Sequence, residues 1–135
     1  LSGDCGTGKT HIAVATGWAW AAKWTRCRFW ESPLMWQELR DGYNANGEAA
    51  FTHRFTALMR TPLLIIDDFG TEVMTQWVNE KLDALVNFRY RESLPLFVTC
   101  NVPLTQLPRR VADRLGDKSR ARVIVLSGPS FRAEG

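Results

Sequence analysis

The chain has 135 residues, of which 45% are hydrophobic and 23% charged, and its formal net charge is +3. This length fits one domain with a contiguous core, and the composition is ordinary for a soluble globular protein. No apolar run approaches the ~18 residues of a membrane span, and no leader stands before Leu1, so we expect a cytoplasmic protein that does not contact a membrane. The three cysteines form no metal-ligand pattern, so we expect them to be reduced.

The chain opens on a phosphate-binding motif. Residues 3–10 read GDCGTGKT and fit the pattern G-x-x-x-x-G-K-[ST], in which glycines turn backbone N–H groups toward one anion and the next helix adds its positive dipole end. Lys9 would reach the β- and γ-phosphates, and the Thr10 hydroxyl would coordinate Mg²⁺. Only Leu1 and Ser2 stand where a buried strand should precede the loop, so we expect an upstream part with the first strand and any partner-binding domain.

The rest of the sequence alternates helices with strands. This order predicts an α/β layered fold with a mostly parallel sheet. The predicted helices cover residues 10–24 (apolar on every side, hence buried), 34–43, 48–59 after a turn at 44–47, 75–91 and 108–115, and the predicted strands cover 27–31, 63–66, 96–100 and 122–126.

Six tryptophans are a large number for a chain of this length. Trp18, Trp20 and Trp24 lie on the first predicted helix and are interpreted as core residues. Trp36 and Trp77 begin amphipathic helices, where they could lie at a surface and stack on single-stranded DNA.

Two further segments supply the polar groups that a nucleotide site needs. The run LLIIDD places Asp67 at the carboxyl end of a buried strand, where open α/β sheets bind ligands, and Asp68 could orient or deprotonate a water. Asn101, or alternatively Thr99, follows the next strand and could hold that water near the γ-phosphate. Taken alone, each segment also reads as a strand that ends in a polar turn.

The carboxyl-terminal fifth of the chain is basic, with seven basic against three acidic residues from Pro108 onward. This suits a polyanionic partner or a neighbour's phosphates, although a solvated face is an equal alternative. In RRVADRL, Arg114 is the candidate arginine finger, and Arg109 and Arg110 are its rivals. An exposed helix arginine without such a role remains the alternative.

Together these segments resemble the AAA+ ATPase domain, and more narrowly the DnaC/IstB family of helicase loaders and transposition helpers. The matching stretches are GDCGTGKTHIAVA, LLIIDDFGTE, WVNEKLDALVNFRYRESLPLFVTCN, DRL and GPSFR. The resemblance implies one AAA+ ATPase domain over residues 1–135, folded as a P-loop NTPase three-layer sandwich with a mostly parallel sheet and no C-terminal helical lid.

The resemblance also implies roles for individual residues. ATP and Mg²⁺ are the expected cofactors, with Thr10 and Asp67 as metal ligands and Asp68, Asn101 and Arg114 as catalytic residues. The expected ATP-binding residues are Gly3, Asp4, Cys5, Gly6, Thr7, Gly8, Lys9, Thr10 and His11. Two stretches depart from the family: GPSFR puts the role of Arg132 in doubt, and GDKSRAR is longer and more basic than expected.

The implied function is an ATP-dependent switch in DNA replication. Most AAA+ proteins carry a glutamate where Asp68 stands, so we expect slow or partner-stimulated hydrolysis. The expected partners are a replicative helicase, single-stranded DNA and further copies of the chain, with Arg114 acting in trans. The alternatives are a helper that activates a transposase, a nucleotide-binding scaffold without turnover, and a small-molecule kinase, which LLIIDD and TCN disfavour.

Overall fold

The computed structural model describes residues 1–131, which form a parallel sheet with helices on both faces. The sheet order is β2-β3-β4-β1-β5, and each pairing within these residues is parallel. The strands are β1 (Ser2–Gly3), β2 (Cys27–Glu31), β3 (Leu63–Phe69), β4 (Leu96–Cys100) and β5 (Val125–Leu126), and the helices are α1 (Lys9–Lys23), α2 (Ser32–Met59), α3 (Gln76–Arg91) and α4 (Arg109–Leu115).

The side chains of β3 point alternately to the two faces of the sheet and so divide the interior into two layers. Leu63 and Ile65 pack with α1 on one face, whereas Leu64 and Ile66 join the larger cluster formed with α2, α3 and α4 on the other. Successive side chains of a strand point to opposite faces, so a strand buried on both sides must be continuously apolar. The prediction of a three-layer α/β sandwich with a mostly parallel sheet is confirmed, and within residues 1–131 no helix follows β5.

The interpretation of α1 as a helix buried on all sides is wrong. Trp18 is 76% exposed and Trp24 is 66% exposed, while Trp20 is half-buried. The helix meets the sheet through small residues instead: Ala13 is fully buried, and a Cβ at Gly17 would lie 3.1 Å from the Ile65 side chain. Close approach leaves only a narrow strip in contact, so the large rings on the other sides face solvent.

The expectation that Trp36 and Trp77 could lie at a surface is wrong for Trp36. Trp36 is 2% exposed and belongs to the larger core cluster, and Trp77 packs against that cluster. The two rings meet edge to face with centroids 6.1 Å apart. Both lie where α2 and α3 pack together, so Trp36 is not available for stacking on a nucleic acid base, whereas Trp77 is half-buried.

Several element boundaries differ from the predictions, most clearly in α2, β3 and β5. The strand β3 runs to Phe69 instead of ending at residue 66. The turn predicted at residues 44–47 is a break at one residue, Gly47, whose φ of 78° and ψ of −176° interrupt α2. The final strand is confined to Val125–Leu126, because only this segment pairs, with β1. Among the helices of residues 1–131, none is both long and apolar enough to cross a bilayer.

Candidate nucleotide-binding site

The loop between β1 and α1 has the backbone that its glycines permit. Gly6 and Gly8 have φ values of 82° and 88°, in the left-handed region that side chains with a Cβ disfavour. Gly8 is also the N-cap of α1, and nothing lies within 4 Å of the position that a Cβ would take there. Inside the loop, the Thr7 hydroxyl donates to the Asp4 carbonyl at 2.8 Å. The loop is therefore ordered and leads directly into the first turn of the helix.

Lys9 lies folded inside this loop. The residue is only 5% exposed, and its Nζ donates to the carbonyl oxygens of Gly3 at 2.8 Å and Asp4 at 2.7 Å. A buried ammonium group needs such partners, because its desolvation is costly. The positive charge is thus held at the centre of a ring of backbone groups, where an anion could exchange with the two carbonyls.

A network of hydroxyl and carboxylate groups connects the start of α1 to β3 and β4. Asp67 is 2% exposed, and its Oδ2 accepts a hydrogen bond from Thr10 Oγ1 at 2.8 Å. Its Oδ1 accepts from Thr99 Oγ1, and that residue is fully buried. The structure therefore brings together the two predicted metal ligands, which lie 57 positions apart in the sequence.

A bulge in β3 directs the second aspartate to the same place. Ile66 pairs with Val98 and Phe69 with Cys100, so Asp67 and Asp68 together face Thr99 alone. Asp68 adopts a φ of 53°, and its N–H donates to Thr99 Oγ1 at 3.1 Å.

Asn101 completes this arrangement. Its Nδ2 donates to Asp68 Oδ1 at 3.2 Å, so the predicted water-holding residue and the predicted catalytic carboxylate are in direct contact. Thr99, which the sequence offered only as an alternative to Asn101, bridges both aspartates. The signal for Thr99 is that it is a hydroxyl residue inside the otherwise apolar strand LFVTC.

Glu72 also supports the end of β3, a role that was not predicted. Its Oε2 accepts a hydrogen bond from the backbone N–H of Gly70 at 2.8 Å. This contact fixes the turn that follows the two aspartates. The acidic residue thus shapes the site without a hydrogen bond to Asp67 or Asp68.

The remaining predicted residues lie at the margin of this cluster or away from it. Asp4, Cys5 and His11 are exposed. Arg114 is exposed on α4, and its contacts are with α3: Nη2 lies 3.4 Å from Asn87 Oδ1, and the guanidinium lies over the Tyr90 ring. The structure therefore does not bring Arg114 to the nucleotide cluster of its own chain.

The closing segment packs against the phosphate loop. The backbone N–H of Phe131 donates to the Gly6 carbonyl at 3.0 Å, and Ser130 lies where a Cβ on Gly6 would point. This contact adds a second reason why position 6 is a glycine. Arg132, whose role the sequence left in doubt, lies outside the described residues.

A glycine-rich loop at a helix N-terminus, beside an aspartate at the end of a parallel strand, defines a P-loop NTPase fold of the AAA+ type. The chain belongs to the IstB-like ATP binding protein family, whose sequence model matches residues 1–125. The resemblance inferred from the motifs is thereby confirmed.

Individual relatives agree with this family. The chain is 28% identical over 141 residues to protein Rv3427c in an insertion sequence of Mycobacterium tuberculosis, a match covering 98% of the chain and 54% of the relative. It is 26% identical over 144 residues to the replicative helicase loader DnaI of Bacillus subtilis, covering 100% of the chain and 45% of the relative. The chain therefore spans about half the length of these relatives.

A solved structure supports the fold assignment. The crystal structure of the DnaC helicase loader superposes with a TM-score of 0.79 at 22% identity, covering 93% of the chain and 76% of that structure. At this identity the likeness shows the fold alone.

Proposed function

We propose that the protein is an AAA+ switch that binds ATP with Mg²⁺, hydrolyses it slowly and assembles with further copies of itself. The observation that carries this proposal is the continuous hydrogen-bonded chain from Thr10 through Asp67 and Thr99 to Asp68 and Asn101. It joins the phosphate loop to the residues that would act on a water. A scaffold that only binds nucleotide would not need the hydrogen bond between Asp68 and Asn101.

The loop has the features needed to bind a triphosphate. Residues 3–8 supply backbone N–H groups at the positive end of α1, and the space beside Gly8 is open. Lys9 exchanges its two carbonyl partners for β- and γ-phosphate oxygens when ATP binds. The buried ammonium then neutralises phosphate charge without moving far, because it is already held at the loop centre.

Thr10 and Asp67 fit a magnesium site. Both offer oxygen atoms, which Mg²⁺ prefers, and the two side chains already lie within hydrogen-bonding distance of each other. A bound Mg²⁺ would neutralise developing charge on the β- and γ-phosphate oxygens. Thr99 orients the Asp67 carboxylate by donating to the oxygen that does not face Thr10.

Asp68 and Asn101 hold the attacking water, and Asp68 accepts its proton. We expect slow turnover for two reasons. The aspartate side chain is one methylene shorter than the glutamate common in AAA+ proteins, and one of its two oxygens is already occupied by Asn101. Arg114 supplies charge to the γ-phosphate bound by a neighbouring copy, so hydrolysis depends on assembly.

The biological role that we favour is helicase loading in DNA replication, in which the ATP-bound assembly grips single-stranded DNA and delivers a replicative helicase. Likeness to the helicase loader DnaI supports this role. Membership of the IstB-like family and likeness to a protein in an insertion sequence support the second candidate, an ATP-dependent helper that activates a transposase. Binding of the full-length protein to a purified replicative helicase or to a transposase separates the two.

The nucleotide site is tested by ATP binding to a Lys9→Ala variant. We expect binding to be lost, and Lys23→Ala, an exposed lysine on the same helix, is the matched control that should bind normally. Tight ATP binding by Lys9→Ala would contradict the site.

Turnover is tested by steady-state ATPase assays with and without single-stranded DNA. We expect a low basal rate that rises with DNA or with the protein partner. Fast hydrolysis by the protein alone would contradict the assigned effect of Asp68. Complete absence of hydrolysis under all these conditions would favour the scaffold without turnover.

A further inference from the structure

The three candidate finger arginines differ in what holds them. Arg110 forms an ion pair with Asp83 at 3.3 Å, and within residues 1–131 Arg109 has no hydrogen bond, ion pair or ring contact. Arg114 alone lies over an aromatic ring, with its guanidinium carbon 4.7 Å from the centroid of Tyr90. A surface arginine has many rotamers, so a group that must reach a defined phosphate benefits from such a platform.

The contact with Tyr90 leaves the N–H donors of Arg114 available. A cation over an aromatic ring is attracted electrostatically and uses no hydrogen-bond donor, and a guanidinium carries several donors. Among the described residues its hydrogen bond is long, at 3.4 Å from Nη2 to Asn87 Oδ1. The side chain is therefore restrained and exposed, with donors available for a bidentate contact to a phosphate.

Tyr90 is itself held in place by the loop after α4. Its hydroxyl donates to Asp117 Oδ2 at 2.5 Å, and Arg120 Nη1 donates to the Tyr90 carbonyl at 2.8 Å while its guanidinium also lies over the ring. Ser119 fixes Asp117 in turn, donating to Oδ1 from its hydroxyl at 2.7 Å and from its backbone at 2.9 Å.

These contacts explain the segment GDKSRAR, which is longer and more basic than the family resemblance leads one to expect. Residues 116–122 form a brace around the tyrosine, and two of their polar side chains contact the ring or its hydroxyl. The hydrogen bonds from Ser119 and Tyr90 lower the pKa of Asp117 from 3.8 to about 2, so the carboxylate stays ionised at neutral pH.

We propose that Tyr90, braced by residues 116–122, is a positioning residue that holds the Arg114 guanidinium in the orientation from which it reaches ATP bound to a second copy of the chain. This inference rests on the proposed function, because it requires ATP hydrolysis at an interface between copies. It adds a specific arrangement to that function: the Tyr90 ring restrains the rotamers of Arg114, and residues 116–122 restrain the ring.

The test uses the full-length protein and measures kcat at saturating ATP with single-stranded DNA present, together with the Kd for ATP. Tyr90→Leu removes the ring, and we expect kcat to fall roughly tenfold, as an arginine regains its rotamers, with an unchanged Kd. Tyr90→Phe keeps the ring but loses the hydroxyl bond to Asp117, so kcat should fall less than in Tyr90→Leu, to about threefold below wild type. Arg91→Ala, an exposed arginine next in sequence, is the control for charge and should leave kcat unchanged.

A mixing experiment separates positioning from a general structural defect. Asp68→Asn subunits are expected to bind ATP and present an intact Arg114 without hydrolysing ATP themselves. Added to Tyr90→Leu subunits, they should raise the hydrolysis rate above the sum of the two separate rates, because the Tyr90→Leu sites receive a correctly oriented finger. No increase in the mixture would overturn the inference.

The outcomes for the two proposals are distinguishable. If Tyr90→Leu hydrolyses ATP as fast as wild type while Arg114→Ala does not, the positioning role is wrong and the trans finger stands. If Arg114→Ala is fully active while Lys9→Ala loses ATP, both the finger and its positioning are wrong and the ATP site stands. Retained ATP binding by Lys9→Ala refutes the site itself.

Discussion

Arg89 offers the sharpest test of how the fold is held together. This residue on α3 is 1% exposed, and its guanidinium donates to the backbone carbonyls of Met59 at 2.9 Å, Thr61 at 2.7 Å, Pro62 at 3.3 Å and Pro95. Desolvation lowers its pKa from 12.5 to about 10, so it remains charged at neutral pH. One side chain therefore ties α3 to the ends of the segments that enter β3 and β4.

The expected cost of Arg89→Met follows from those four carbonyls. The hydrogen bond to Thr61 is wholly buried, so leaving that carbonyl unpaired costs about 2 kcal/mol. The other three are partly buried and can regain some water, at about 0.5 to 1 kcal/mol each. Removing the buried charge also removes its desolvation cost, which offsets part of this total. We therefore expect the free energy of unfolding to fall by roughly 3 kcal/mol.

Urea unfolding measures this loss. With a slope of about 1.5 kcal/mol/M, the midpoint should fall by about 2 M, and the melting temperature by about 12 °C. Arg89→Lys keeps the charge but offers a compact ammonium in place of a planar fork, so we expect about half the loss. The exposed neighbour changed as Arg91→Met should stay within ~0.5 kcal/mol of wild type. A loss below 1 kcal/mol for Arg89→Met would refute the reasoning.

Three further predictions concern single positions. Trp18→Ser should change the free energy of unfolding by less than ~0.5 kcal/mol, because the indole is 76% exposed; a loss of several kcal/mol in urea unfolding would restore the core interpretation. Hydrogen bonds, led by that from the Ser119 hydroxyl, lower the pKa of Asp117 to about 2, so its contribution to stability is complete above about pH 4 and is lost as the pH falls toward 2. Asp117→Asn should therefore lose less stability than wild type between pH 5 and pH 2 in urea titrations, and an equal loss would contradict this. Gly6→Ala should weaken ATP binding and lower the melting temperature more than Gly8→Ala. Both backbones are left-handed, but a Cβ at Gly6 would also lie 1.9 Å from a neighbouring hydroxyl oxygen. Equal effects of the two substitutions would contradict the contact between the phosphate loop and the closing segment.

The nucleotide cluster was predictable from sequence because its parts are local. A loop motif fixes its own backbone, and a carboxylate after a buried strand must lie at the carboxyl edge of the sheet. Lys9, Thr10, Asp67 and Asn101 could therefore be placed from three short segments. The bulge that turns Asp68 toward Asn101 was not predictable, because it depends on how β3 pairs with β4.

The burial of the tryptophans was not predictable, because it depends on which elements meet. Apolarity on all sides of residues 10–24 suggested a buried helix, yet α1 contacts the sheet through Ala13 and Gly17. Trp36 is buried and Trp77 half-buried because α2 and α3 pack against each other around them. Hydrophobic periodicity reports the amphipathic character of one helix, whereas burial also depends on the element that packs against that helix.

One turn of α3 joins the fold to the proposed interface between copies. Asn87 and Tyr90 are three positions apart, so they share a helix face and both contact Arg114, while Arg89 between them is buried against the base of β3 and β4. The platform for the proposed finger is thus anchored to the segments that enter β3 and β4. It follows that Arg89 should influence hydrolysis in a neighbouring copy as well as the stability of its own. The test uses conditions under which Arg89→Lys remains folded. Mixed with Asp68→Asn subunits, which supply Arg114, the Arg89→Lys sites should hydrolyse ATP at the normal rate. Alone, Arg89→Lys must supply its own finger, and its hydrolysis rate should fall.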